Sequence, residues 1–357
     1  MHTINPNLNL VLQKYRLQID AAIAEYFSSE LPQLGLRLGK HEQRALDVLK
    51  EFSLRPGKRI RGSMALFSYE HFSSRQNPSI INLAIALELI QNYLLIIDDV
   101  MDRSSSRRGE PSLQEVFKNQ GVDSEHIAQM MAVDVGLLAQ HMASSLLCSV
   151  KEEPENICRT VDIFHKNIAA TCYGQFDDLI NTQIGALKEI ELLRLYELKT
   201  SYYTFVNPLQ TGAALAGRHE AELMNHIEKI GLPAGLAFQL RDDVLGIFGA
   251  QQQTGKSSLD DLREGKITLL ILYTLEQATN QQRAILKKAL GNVKLTKSEH
   301  EAVQRIIDEC GARARVEEKA QMYCKQTREQ IISSKYFDAK AKDFLLELLN
   351  YVVNREV

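Results

Sequence analysis

The stretch LLIIDDVMDRSSSRRGEPS, residues 94 to 112, places Asp98, Asp99 and Asp102, then Arg107 and Arg108, directly after an unbroken apolar run. On a helical wheel turning about 100° per residue, Asp102 lies about 40° from Asp98 and one turn further along, on the same face. Asp99 lies about 100° away, so it aims elsewhere and reads as a supporting group. Two carboxylates one turn apart, with no lysine between them, repel each other unless a cation is supplied. Hard oxygen donors of this kind suit Mg²⁺, which takes one or two carboxylates and fills its other positions with water and phosphate oxygen. Back along the same helix, Ile90, Tyr93, Leu94 and Ile97 form a contiguous apolar stripe beside the carboxylates. A ligand with a charged head and a hydrocarbon tail satisfies both halves. A hydrated helix end would explain the charges alone.

The theme recurs at GLAFQLRDDVLGIFG, residues 235 to 249, where an apolar helix again ends in paired aspartates, Asp242 and Asp243. Downstream, GKSSLDDLREGKITLLI carries Lys256, Asp261 and Lys266; upstream, RPGKRIRG carries Lys58 and Arg61. One DDxxD is a weak signal, because acidic helix ends are common. Two aspartate pairs about 140 residues apart, each after an apolar helix and accompanied by basic loops, are far more specific.

The elements that must hold these groups are helices. Apolar residues recur at three-and-four spacing almost everywhere, and no run alternates as a strand would. The spacing, with prolines 56, 78, 111, 154 and 233 as boundaries, predicts helices over 7–28, 40–55, 57–73, 79–103, 112–118, 124–150, 155–183, 188–206, 208–217, 219–249, 266–278, 280–291, 296–333 and 338–353. No linker or repeat divides the chain, so residues 1–357 are expected to form one all-α domain whose helices surround a central one. A chain of 357 residues that is 45% hydrophobic has the material for such a core. Its formal charge of −3 argues against general nucleic-acid binding, which wants a basic stripe. Five scattered cysteines without a C-x-x-C pair suggest a reducing compartment. The first residues show no signal pattern, and no stretch of 18 uncharged apolar residues reads as a membrane span. A cytoplasmic location is expected.

In order along the chain, from about residue 50 to residue 270, the motifs GKRIR, DDVMD, RRGEP, GQFDDL and RDDVLG resemble those of the trans-isoprenyl diphosphate synthases. The closing LLNYVVNRE is similar too. The resemblance implies an antiparallel helical bundle around a deep apolar cavity, usually a homodimer, with three Mg²⁺ bound together with diphosphate. It implies that Asp98 and Asp102 ligate metal in the first motif, and that Asp242 does so in the second with Asp243 as its support. Lys58, Arg61, Gln91 and Arg108 match the site for the diphosphate of isopentenyl diphosphate. Arg107, Lys199, Thr200, Gln239, Lys256 and Lys266 match the allylic site, and GQFDDL, with Gln175 and Asp178, matches a helix facing the cavity.

The residues suit that chemistry. Metal and basic side chains stabilise the charge that develops as diphosphate leaves. A mid-helix threonine such as Thr200 can bond back along its own helix, bend it and free a carbonyl for the allylic cation. Gln239 stands one turn before Asp243 and shares its face. No histidine is placed as a general base, so released diphosphate is the expected proton acceptor. Departures from the family are Gln91 and Ile97 in place of histidines, Gly62 in place of a proline, and Gly246 in place of the last aspartate of the second motif. Tyr93, about 7.5 Å along the helix from Asp98, would meet a growing tail after a few isoprene units. With Leu94 and Ile90 it forms the expected floor. The resemblance implies that an aromatic residue here, without a two-residue insertion in DDVMD, favours geranylgeranyl diphosphate, then farnesyl or longer products. A terpene cyclase would want an Asn/Asp–Ser/Thr–Glu triad in place of DDVLG. A non-catalytic subunit would be expected to lose the acidic and basic residues kept here.

Overall fold

The computed structural model describes residues 6–30, 38–184, 188–249 and 259–353. Sixteen α-helices occur among them: α1 (Pro6–Glu25), α2 (Lys40–Leu54), α3 (Ile60–Phe72), α4 (Ile81–Met101), α5 (Leu113–Asn119), α6 (Glu125–Cys148), α7 (Pro154–Ile184), α8 (Glu189–Tyr196), α9 (Asn207–Leu215), α10 (Ala221–Phe248), α11 (Asp260–Glu264), α12 (Leu269–Gln277), α13 (Asn280–Ala289), α14 (Lys297–Glu309), α15 (Ala312–Ile332) and α16 (Ala339–Val353). The chain forms two compact units, residues 1–166 with 207–227, and residues 167–206 with 228–357.

In the first unit α4 is the core helix. It packs against α1, α2, α3 and α6, and Leu83, Ala84, Leu87, Leu89 and Ile90 are buried. Burial around most of its circumference explains why α4 is apolar enough, by length and composition, to cross a bilayer; α6 passes the same test. One charge is held inside. Glu88, 2% exposed, accepts from Arg59 Nη1 at 3.2 Å, and Arg59 also donates to Asp20 at 2.7 Å and to the Ser53 carbonyl at 2.8 Å. This pairing holds the entry to α3, where Arg59 adopts a left-handed conformation (φ 50°). The helix predicted from residue 57 therefore begins only at Ile60. Gly62 uses the N–H that a proline lacks: it donates to Glu88 Oε1 at 3.3 Å, and an added Cβ would stand 2.8 Å from Ile19 Cδ1.

The second unit is built around Leu240, Val244, Leu269, Leu270, Tyr273, Leu286, Val303, Ile307 and Val316. The single helix predicted over 296–333 is two, because Gly311 takes a left-handed conformation (φ 67°) after α14 and terminates it. The helix predicted over 188–206 stops at Tyr196 and continues as a π-helix over Glu197–Val206. The expectation of no strand fails at one place. Ser106–Arg107 pairs antiparallel with Glu110–Pro111 through the turn residues Arg108 (φ 58°) and Gly109 (φ 80°). Two positive-φ residues between paired strands make a type I′ hairpin.

Candidate active site

The first cluster lies at the C-terminal end of α4. The helix ends at Met101, and Asp102 caps it, its N–H still bonded to the Asp98 carbonyl at 2.8 Å. Asp98 and Asp102 thus keep one-turn spacing. Asp98 has 18% of its side chain exposed, and Asp102 is half-buried. Asp99 is fully buried, as its wheel position suggested. The hairpin carries Arg107 back over this end. Arg107 Nε donates to Asp99 Oδ1 at 2.8 Å, and its Nη2 donates to Asp98 Oδ2 at 3.1 Å and to Asp99 Oδ1. Burial alone would lower the pKa of Arg107 and favour the neutral form, but Asp99, Asp98 and Asp102 outweigh it and push the pKa up. The carboxylates therefore already attract one cation.

Arg108, the next residue, has the opposite environment. Burial, and then Arg59, Arg61 and Arg107, pull its pKa down to about 10 against the attraction of Glu88. Its Nη1 is buried with no hydrogen-bond partner. Gly57 leaves room beside it, since an added Cβ would stand 3.8 Å from that nitrogen. A buried guanidinium nitrogen without an acceptor, among three further arginines, fits a multiply charged anion. Lys58 is exposed just before α3, Arg61 is half-buried in its first turn, and Gln91 is half-buried on α4. On the stripe, Ile90 is buried and Tyr93 and Leu94 are half-buried. Ile97 packs toward α6, with its Cδ1 3.3 Å from where a Cβ on Gly136 would lie.

The second cluster is formed by the π-helix, α7 and α10. Three glycines allow the close approach: an added Cβ would stand 2.4 Å from Lys199 N at Gly174, 2.6 Å from Val206 Cγ2 at Gly231 and 2.2 Å from Ser201 Oγ at Gly235. Lys199 Nζ donates to Asp178 Oδ2 at 2.5 Å. Thr200 Oγ1 donates to Gln239 Oε1 at 2.6 Å, Gln239 Nε2 donates to Asp243 Oδ1 at 2.8 Å, and Tyr196 donates to Asp243 Oδ2 at 2.5 Å. This corrects the expectation for Thr200: its hydroxyl does not bond back along its helix, and the deformation is a ten-residue π-helix. Asp243 is 4% exposed, whereas Asp242 beside it is half-buried. Lys266 Nζ lies 2.8 Å from Glu264. Lys256 lies outside the described residues. Tyr196 went unread in the sequence because no motif contains it; only its three-residue offset from Lys199 pointed there.

Among the described residues no group of three or more His, Cys, Asp or Glu is assembled to hold a metal ion. Asp98 with Asp102, and Asp242, place one or two carboxylates each that are not fully buried. Such a donor set fits Mg²⁺ only when phosphate oxygens complete the shell.

The family model for polyprenyl synthetase matches residues 42–309. A geranylgeranyl diphosphate synthase of Methanosarcina mazei is 28% identical over 338 residues, covering 95% of each chain. Another, from Sulfolobus acidocaldarius, is 30% identical over 245 residues, 68% of this chain and 70% of its own. The crystal structure of geranylgeranyl pyrophosphate synthase from Corynebacterium glutamicum, complexed with isoprenyl diphosphate and magnesium, superposes with a TM-score of 0.90 at 25% identity, covering 97% of this chain and 99% of that one.

Proposed function

The chain belongs to the polyprenyl synthetase family and is a short-chain prenyltransferase, and we propose that it condenses isopentenyl diphosphate with an allylic diphosphate to give geranylgeranyl diphosphate. The observation that carries the diphosphate reading is Arg108, whose buried Nη1 lacks an acceptor amid Arg59, Arg61 and Arg107. Arg108, Lys58, Arg61 and Gln91 hold the isopentenyl diphosphate. Arg107, Lys199, Lys256 and Lys266 hold the allylic diphosphate. Asp98, Asp102 and Asp242 would hold magnesium, three ions in all, whose charge offsets that of the departing diphosphate. The oxygens of Thr200 and Gln239 stabilise the allylic cation, and the released diphosphate takes the proton lost after the isopentenyl double bond attacks.

Tyr93, half-buried on α4 five residues before Asp98, supports a floor that stops growth at geranylgeranyl length. We further propose a cytoplasmic homodimer. The stripe of Ile127, Met130 and Leu137 on α6, 53%, 46% and 41% exposed, supports pairing of two copies. The test is to incubate the purified protein with Mg²⁺, isopentenyl diphosphate and allylic diphosphates of increasing length, and to identify the products by mass spectrometry. Geranylgeranyl diphosphate as the common end product is expected. Farnesyl or longer end products would overturn the chain length. A cyclised hydrocarbon, or no product, would overturn the transfer reaction.

A further inference from the structure

One buried residue of the second unit is explained by none of the roles above. Tyr196, 5% exposed, is the last residue of α8, and its ring belongs to the core with Leu192, Leu240 and Leu269. Phenylalanine would fill that space equally well. The hydroxyl is nevertheless held at two points: it donates to Asp243 Oδ2 at 2.5 Å and accepts from the Leu269 N–H, in the first turn of α12, at 3.2 Å.

We propose that Tyr196 is a positioning residue for prenyl transfer, fixing Asp243 and thereby the direction of a hydrogen-bond chain that ends at Thr200. The inference rests on the reading of Asp242, Gln239 and Thr200 given above. An ionised carboxylate only accepts, so Tyr196 and the amide nitrogen of Gln239 must both donate to Asp243. With its nitrogen directed to Asp243, the Gln239 amide turns its oxygen to Thr200, and the Thr200 hydroxyl can meet that oxygen only by donating. The single hydroxyl proton of Thr200 is thus committed, and its lone pairs are what it has left to offer a positive centre. On the other side, Asp243 is held by Tyr196 and Gln239, which leaves Asp242 as the carboxylate of the pair for magnesium. Without the Tyr196 hydroxyl, Asp243 can rotate and the Gln239 amide can flip. The flip would reverse the polarity presented by Thr200, and the rotation would bring a second, wrongly placed carboxylate toward the metal.

The test uses the full chain as wild type, Tyr196→Phe, Asp243→Asn and the double variant. Tyr196→Phe is expected to lower kcat on the order of tenfold or more, the scale of a small misplacement of reacting groups. The KM for isopentenyl diphosphate should stay within about twofold, because its site lies among other residues. By calorimetry, the Mg²⁺ concentration needed for half-maximal binding of an unreactive allylic thiolodiphosphate should rise several-fold. The double variant should bind that analogue no more weakly than Asp243→Asn alone, since both changes break one chain. Wild-type kcat and wild-type Mg²⁺ dependence in Tyr196→Phe would overturn the proposal. So would losses that multiply in the double variant, or a lowered Tm with both KM values and kcat unmoved, which is the mark of a packing role alone. A wild-type protein that neither turns over nor binds the analogue with Mg²⁺ would instead overturn the site reading, and the inference with it.

Discussion

Replacing Arg108 with methionine should make the ligand-free protein more stable while weakening its substrate site. The guanidinium is pulled from its ordinary value down to about 10, first by burial and then by Arg59, Arg61 and Arg107. A base whose folded-state pKa lies below its unfolded one binds its proton less tightly when folded. Charged Arg108 therefore lowers stability at every pH below about 10, and the penalty fades only as the pH rises from about 10 toward the ordinary guanidinium range. At roughly 1.4 kcal/mol per tenfold change in the acidity constant, the penalty is about 3 kcal/mol before screening. Partial exposure and salt reduce that to about 1–2 kcal/mol. Methionine keeps the unbranched stem, fits the same left-handed backbone no worse than arginine, and removes the charge. At roughly 2 °C per kcal/mol for a chain of this size, the Tm should rise about 2–4 °C. The assay is scanning calorimetry at pH 8 with and without inorganic diphosphate and Mg²⁺. Diphosphate should raise the Tm of the wild type more than that of the variant, because only the wild type has the unpartnered donor to fill. A variant that melts at or below the wild type without ligand, and gains as much from diphosphate, would refute the reasoning.

Asp98→Ala or Asp102→Ala should lower turnover roughly a hundredfold or more, with the helical circular dichroism unchanged, because each deletes a proposed ligand to the charge-neutralising metal. Lys58→Ala and Arg61→Ala should raise the KM for isopentenyl diphosphate more than that for the allylic substrate, as steady-state titration of each substrate in turn would show. Tyr93→Ala should give longer prenyl diphosphates at retained activity by mass spectrometry; an unchanged product distribution would place the stop elsewhere.

The strongly periodic parts of the chain were readable in advance. The apolar spacing of α4, and the two aspartates one turn apart at its end, follow from the helical repeat alone, and Asp98 and Asp102 stand as that repeat requires. The Gln239–Asp243 contact follows from the same arithmetic on α10. What escaped depends on partners far apart in sequence. The π-helix around Lys199 and Thr200 is met by close backbone approach at Gly174, Gly231 and Gly235, and nothing in the local sequence says which distant segment each glycine admits. The Arg59–Glu88 pair joins positions 29 residues apart, and an arginine within GKRIR reads equally well as a ligand for phosphate. The break at Gly311 rests on one residue inside a long charged stretch, where helix propensity on both sides argued for continuation. The hairpin at Ser106–Pro111 has two residues per strand, too few for any alternation to show.

That hairpin yokes two opposite environments. Arg107 ends one strand and reaches into the carboxylates of α4, while Arg108 begins the turn and sits among the basic residues at the start of α3. Consecutive Cα atoms are about 3.8 Å apart whatever the side chains do, and a type I′ turn of two residues has no slack to absorb a shift. The acidic end proposed for metal and the basic end proposed for phosphate are therefore tied by a single peptide bond. Whatever draws Arg107 out of Asp98 and Asp99 must also move Arg108, so the two ends are tuned as one mechanical part.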